Sequence, residues 1–222
     1  VSRVAADPFI RRLKAVSPES LERLVQTAQQ ASASDLVNRF RREDFSQYAD
    51  FPYDTQLFFG PPRKADEPNS DLLQKARALY DAVDALCKDK KLNLRRPYPY
   101  FAVLAADGDH MGAVIGKLQD QSAHIGLSQA MGRFANAARD VVSKRHGVII
   151  YCGGDDVLAF LPLDTAIECA CALNAEFAQH VSGFVIGQNP ANDAPTLSCG
   201  ISIAHYGEHL QDLLQWARDA ER

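Results

Sequence analysis

From Tyr100 onward the chain alternates between apolar runs of strand length and longer stretches with an apolar residue every three or four positions. YFAVLAA (100–106) is the first run, cut off by DGDHMG. Leu127, Met131, Phe134, Ala138, Val141 and Val142 then predict a helix from about Ser128 to Lys144, ended by His146-Gly147. GVIIYC reads as a second buried strand, GGDD as a turn and VLAFLPL as a third strand. Thr165 to Glu168 spell a capping box, T-A-I-E, opening a helix with Ile167, Ala170, Leu173, Phe177 and Val181 on one face. SGFVIGQNPANDAP is a long loop with room for a short edge strand. In TLSCGISIA, Leu197, Cys199, Ile201 and Ile203 point one way and Ser198, Gly200 and Ser202 the other. HLQDLLQWARDAER closes the chain as a helix.

The first hundred residues carry a different signature. Residues 1–45 read as helical, and in SPESLERLVQTAQQ Ser17 is the expected N-cap, with Pro18 at the first helical position and Glu19 in the first turn. A second short helix is expected from Asp35 to about Arg42, then an irregular connection over 46–69 with one strand around Gln56–Phe59. Leu72, Ala76, Leu79, Val83 and Leu86, at 4-3-4-3 spacing, predict an amphipathic helix capped by Ser70. Lys88, Lys90, Lys91, Arg95 and Arg96 follow as a solvated basic linker into the extended RPYPY, with contact to phosphate or a partner as the alternative. The expected division is a helical or irregular region over 1–92 and an α+β domain over 93–222. The β-α-β-β-α-β order of the latter, with one tight hairpin, folds most simply as an antiparallel four-stranded sheet with both helices on one face, the ferredoxin-like arrangement.

Composition narrows the class. The 222 residues are 46% hydrophobic and 23% charged, and no apolar run approaches the roughly 18 residues that a membrane helix needs. VSRVAADPF lacks the apolar core of a signal peptide, and a chain beginning at Val1 rather than Met reads as a processed product or a piece of something longer. Five cysteines, an odd number with no CxxC pair, suggest a reduced cytoplasmic chain with core thiols and no zinc site. The net charge of −4 is uneven: residues 1–100 hold 17 Lys+Arg against 14 Asp+Glu, and residues 101–222 hold 7 against 14. So acidic a second half does not attract nucleic acid or nucleotides by its own field. It can do so through divalent cations or a basic neighbour.

Candidate chemistry sits at two turns. A hairpin bend is satisfied by one Gly and one Asp, so the second aspartate of Gly153-Gly154-Asp155-Asp156 is surplus to structure. In a ferredoxin-like sheet the first strand lies beside the hairpin, which brings Asp107 to Asp155 and Asp156 across 48 residues of sequence. Three carboxylates at one sheet edge repel one another, and a hard cation such as Mg²⁺ or Mn²⁺ is their natural neutraliser. Two such ions can clamp the attacking and leaving oxygens of a phosphoryl transfer. Asp155 and Asp156 are the expected catalytic pair, and with Asp107 the expected metal ligands. Gly153 and Gly154 allow the bend and a close nucleotide, and Gly108 and Gly112 do similar work after the first strand. Asp109 is expected to cap the following helix, whose N–H groups can hold a triphosphate. With His110, Met111 and Ser128 it completes the expected nucleotide border, although Ser128 reads first as an N-cap. Lys117, Lys144 and Arg145 are read as solvent-facing, with reach to a triphosphate as the alternative. No Ser/His/Asp set, Walker loop or zinc spacing is present.

On these residues the chain resembles a known family. YFAVLAADGDHMG, LSQAMGRFANAARDVV and GVIIYCGGDDVLAFLPL are similar to the second palm domain of the large polymerase/cyclase-like subunit of type III CRISPR effector complexes, the III-B form above all. The resemblance covers about 93–222. It implies synthesis of cyclic oligoadenylate: the 3′-hydroxyl of one ATP attacks the α-phosphate of another and pyrophosphate is released. It also implies partners, namely the other subunits, guide and target RNA, and a second palm completing the nucleotide site, with no membrane. The nuclease His-Asp dipeptide, the zinc-module cysteines and a first palm are absent from this sequence, so it reads as a fragment. Two alternatives stand beside this reading. One is a GGDEF-type synthase using GTP, against which Asp156 replaces that family's Glu and the Lys-Asn motif of its first loop is missing. The other is a catalytically silent palm serving as an assembly or RNA-sensing module.

Overall fold

The structure, a computed structural model, describes residues 1–32, 37–40, 45–60, 70–185 and 194–221, without the side chains of 70–73. It divides into two compact units, Val1–Tyr100 and Phe101–Arg222.

The first unit is built from helices α1 (Ser2–Val16), α2 (Pro18–Ser32), the single turn α3 (Gln56–Phe59) and α4 (Ser70–Lys88), with a 3₁₀ turn at Ser46–Tyr48. Ser17 caps α2 as expected, its hydroxyl accepting from the Ser20 N–H at 3.4 Å. Phe9, Ile10, Leu13, Leu24, Leu79 and Val83 form the core with Phe51 and Phe58. Gln56–Phe59 is helical rather than the expected strand. The Phe58 N–H closes the turn on Thr55 O at 2.9 Å, and the turn drives the Phe58 ring edge-on against Phe9 and Phe51. Of the helix expected over 35–42, the described residues 37–40 are not helical, and Arg39 bridges Tyr53 instead. Phe40 N–H donates to Pro52 O and Asp54 N–H to Asn38 O, an isolated bridge that satisfies these backbone groups. The remainder of that helix lies outside the described residues, and Ser70, expected as a cap, is instead the first helical residue of α4. Arg96 also departs from expectation. It lies over the Tyr80 ring at 4.8 Å and pairs with Asp84, so only part of the basic stretch is solvated.

The second unit contains β1 (Tyr100–Gly108), α5 (Met111–Lys117), α6 (Gln121–Lys144), β2 (Val148–Gly153), β3 (Asp156–Leu161), α7 (Ala166–Val181), β4 (Leu197–His205) and α8 (Leu210–Glu221). The strand order β2-β3-β1-β4 is that of the ferredoxin-like antiparallel sheet. Ala102, Leu104 and Ala106 of β1 and Val157, Ala159 and Leu161 of β3 share one face with the apolar sides of α6 and α7, among them Phe134, Leu173 and Phe177. Cys199 and Ile201 of β4 pack on this core, so the alternate residue Gly200 faces the other side. There α8 covers the sheet: a Cβ on Gly200 would meet Ala217 O at 2.5 Å and Glu221 N at 2.2 Å.

Local details differ from the sequence reading. The first crossover holds two helices, and α6 begins at Gln121, because Asp120 is its N-cap and accepts from Ala123 N–H at 2.7 Å. Ser128 is therefore an exposed residue inside α6 and not a cap. The T-A-I-E box does not form. Thr165 donates to Arg145 O at 2.9 Å, and Glu168 pairs with Arg145 at 3.1 Å. The buried stripe of α7 runs through Ala166, Cys169, Leu173, Phe177 and Val181, which leaves Ile167 exposed. The described part of the 182–195 loop contains no strand, and 186–193 lie outside the described residues.

Candidate functional site

The sheet register assembles the acidic cluster. Ala106 pairs with Val157, so one step further along each antiparallel strand Asp107 stands across from Asp156. On the hairpin side Gly153 pairs with Asp156, and Gly154, at φ 65°, with Asp155 forms the two-residue turn. Gly108 completes the approach, because a Cβ there would lie 2.7 Å from Asp155 Cβ and 2.9 Å from Met111 Cγ. The neighbour that needs this glycine is thus the Asp155 side chain. Asp107, Asp155 and Asp156 each offer a carboxylate oxygen, and these atoms lie within 4.8 Å of one another.

Their protonation reflects that crowding. Burial, and then the charge of Asp107, push Asp155 above the usual carboxylate range. Asp156 is pushed up to about 6, by burial first, then by the hydrogen bond it shares with Asp107 and the charges of Asp107 and Asp155. Arg218 pulls it the other way. A cleft of about 530 Å³ adjoins the pair, lined by Ala105, Asp107, Tyr151, Asp156, Leu158 and Arg218 among others. A bulge between Ile149 and Tyr151 puts Tyr151 opposite Leu158, and so on the cleft side of the sheet.

The other expected residues divide. Asp109 does not cap α5. Its carboxylate accepts from Thr196 Oγ1 at 2.6 Å and Ser198 Oγ at 2.8 Å, and its N–H donates to Thr196 O, which ties the end of β1 to the start of β4. His110 takes the cap position at φ 64° without a side-chain cap bond. The Met111 side chain belongs to the core beneath α6, and Gly112 faces open space. Arg145 is engaged by Glu168, and Lys117 and Lys144 are exposed. None of these, nor Ser128, joins the carboxylate cluster. Sequence reasoning missed Tyr151 and Arg218. Nothing in the spacing of the last helix marks Arg218, and Tyr151 reaches the cleft only because of the bulge.

Hard oxygen donors in this number and proximity fit a divalent cation of the Mg²⁺ or Mn²⁺ kind. The pattern describing the second palm domain of Cas10/Cmr2 matches residues 100–222. The Cmr2 subunit of the CRISPR Cmr system of Pyrococcus furiosus is 30% identical over 218 residues, covering 83% of this chain and 24% of that protein. That of Saccharolobus solfataricus is 38% identical over 100 residues, covering 39% and 10% respectively. The chain thus spans a quarter or less of the length of these curated relatives. A crystal structure of an apo Csm1–Csm4 cassette superposes with a TM-score of 0.45 at 16% identity, over 55% of this chain and 18% of that one.

Proposed function

Because the chain belongs to the Cas10/Cmr2 family through its second palm domain, we propose that this domain is a metal-dependent nucleotidyltransferase joining ATP into cyclic oligoadenylate. It acts as part of a type III CRISPR antiviral effector complex, with other subunits, guide and target RNA, and a second palm completing the nucleotide site. The observation that carries this reading is the meeting of Asp107, Asp155 and Asp156, within 4.8 Å, at one rim of the sheet. Three carboxylates this close repel one another, and a bound cation relieves that repulsion.

In this reading the three carboxylates hold one or two divalent ions. A bound ion supplies Lewis-acid stabilisation of phosphate charge and eases deprotonation of the attacking hydroxyl. The chain itself fixes the ligands: β1 supplies Asp107, the hairpin supplies Asp155 and Asp156, and Gly108 lets the two approach. The exposed Gly112 and Gly154 leave the nucleotide side open, with Gly153 and the backbone of Gly108 to Met111 bordering it. The 3′-hydroxyl of one nucleotide loses its proton to solvent and its oxygen bonds to the α-phosphorus of another; the bond from that phosphorus to the oxygen bridging to the β-phosphate breaks, and pyrophosphate leaves with that oxygen.

The test is pyrophosphate release from ATP, with Mg²⁺ or Mn²⁺, by the full-length subunit in its RNA-bound complex. Asp155→Ala with Asp156→Ala is expected to reduce it to background, and full activity in that variant overturns the reading. A preference for GTP over ATP in the same assay points instead to a cyclic-dinucleotide synthase.

A further inference from the structure

Helix α8 brings a positive charge to the acidic cleft, and nothing in the function proposed above uses it. The Arg218 guanidinium lines the same cleft as Asp107 and Asp156. It is exposed, and its charge acts on Asp156 with no hydrogen bond or ion pair to it among the described residues. The helix that carries it is firmly seated. The neighbouring Ala217 and Leu213 are buried, and the last turn of α8 is pressed so closely on Gly200 that no Cβ fits between them. The helix position from which the guanidinium extends is thereby fixed at the edge of the cleft.

We propose that Arg218 binds the terminal phosphates of the incoming nucleotide, and hence the pyrophosphate that leaves. This rests on the nucleotidyltransferase reading. The chemistry follows from the charges in the cleft. A triphosphate approaching Asp107, Asp155 and Asp156 meets a negative field in a half-chain with 7 basic against 14 acidic residues. The three aspartates would hold cations that neutralise the oxygens nearest them, which leaves the far end of the triphosphate in need of a partner. Arginine presents a planar fork of donors that matches phosphate oxygens two at a time. Glu221, which also lines the cleft, opposes an anion there and so supplies a control of opposite sign. At about 530 Å³ the cleft lies within the range of small-ligand sites, roughly 300–1,000 Å³.

The experiment is calorimetric titration of the full-length subunit with inorganic pyrophosphate, in Mn²⁺ and again in EDTA, and with AMP and Mn²⁺ separately. Arg218→Ala is expected to weaken pyrophosphate binding about tenfold, the equivalent of ~1.4 kcal/mol, with AMP and Mn²⁺ binding unchanged. Arg218→Lys is expected to recover part of the loss, and Glu221→Gln to tighten pyrophosphate binding. Unchanged pyrophosphate affinity in Arg218→Ala overturns the proposal. So does a loss of Mn²⁺ affinity equal to the loss of pyrophosphate affinity, because that marks a structural role. The underlying reading fails by a different result: Asp155→Ala with Asp156→Ala binding Mn²⁺ as tightly as the parent. The EDTA titration reports the contribution of Arg218 whichever way that control falls.

Discussion

Asp156 carries the clearest electrostatic cost in the site. Its carboxyl titrates at about 6 in the fold against an ordinary value of 3.8. The folded state therefore holds the proton more tightly than the unfolded chain, and stability falls as pH rises between those two values. Above about pH 6 the cost of the charged carboxylate, from burial first and from its acidic neighbours second, is fully present; below about pH 4 it is gone. Asp156→Asn is accordingly expected to stabilise the metal-free protein at pH 7.5 and to have no effect at pH 4. The gain is about 1 kcal/mol after discounting for solvent screening of an exposed group. Mn²⁺ should raise the melting temperature of the parent at pH 7.5 and do little for the variant. Melts at the two pH values, in EDTA and in Mn²⁺, decide this, and equal shifts at both pH values contradict it. Gly108 makes a second point at this scale. A methyl group there lies 2.7 Å from Asp155 Cβ, and neither atom is the end of a flexible chain, so the turn must move. Gly108→Ala should cost about 1–3 kcal/mol and lower Mn²⁺ affinity. Gly112→Ala, with nothing within 4 Å, should not alter Mn²⁺ affinity. Comparable Mn²⁺ titrations of the two variants would refute the steric argument.

At the scale of elements, what was legible followed from periodicity, and what was not depended on competition among partners. Strands 100–106, 148–152 and 157–161 are unbroken apolar runs, and their order with two crossovers leaves little choice of sheet. That order alone brings Asp107 beside Asp155 and Asp156. Caps and loops were less readable. Thr165 had the right sequence for a capping box, but Arg145, 20 residues earlier, took both its hydroxyl and Glu168. Asp109 likewise found Thr196, just before β4, and Ser198, on β4, 87 and 89 residues away. Gln56–Phe59 reads as a strand by composition, yet burial of Phe58 among aromatic rings settles it as helix. The close seating of α8 on β4 has only Gly200 as its sequence trace, and it makes a prediction. Gly200→Ala puts a methyl into backbone atoms of α8, so the helix has to shift. Trp216, the only tryptophan, lies on α8 and reports the shift as a change in emission. The carboxylates sit on β1 and the hairpin, so Mn²⁺ affinity should hold while the emission moves. Unaltered fluorescence would show that α8 is not fixed by that contact.

On the scale of the whole molecule, the chain contains two cores with opposite electrostatic character. The acidic second unit exposes its carboxylates at a sheet rim, where a cation can reach them. The first unit instead buries Asp7 between two arginines: Arg3 at 2.8 Å and Arg11 at 2.6 Å. Arg3 also donates to Phe51 O and lies over the Tyr48 ring at 4.3 Å. Burial lowers the Arg3 pKa, while the attraction of Asp7 opposes that shift. Such a cluster is satisfied internally and offers nothing to a ligand, so its role is to hold α1 to the segment around Tyr48 and Phe51. Removing its anion leaves a buried cation without its partner, a change that typically costs 3–5 kcal/mol. Asp7→Ala is therefore expected to destabilise the first unit by about that much, read as faster amide hydrogen exchange across 1–100. Each unit has its own hydrophobic cluster, so the lesion should act first where it is made. Exchange in 101–185, and its slowing on addition of Mn²⁺, should then match the parent. If Asp7→Ala instead abolishes the Mn²⁺ response at β1 and the hairpin, the acidic rim depends on the first core for its geometry, and the assignment of metal binding to the second unit alone fails.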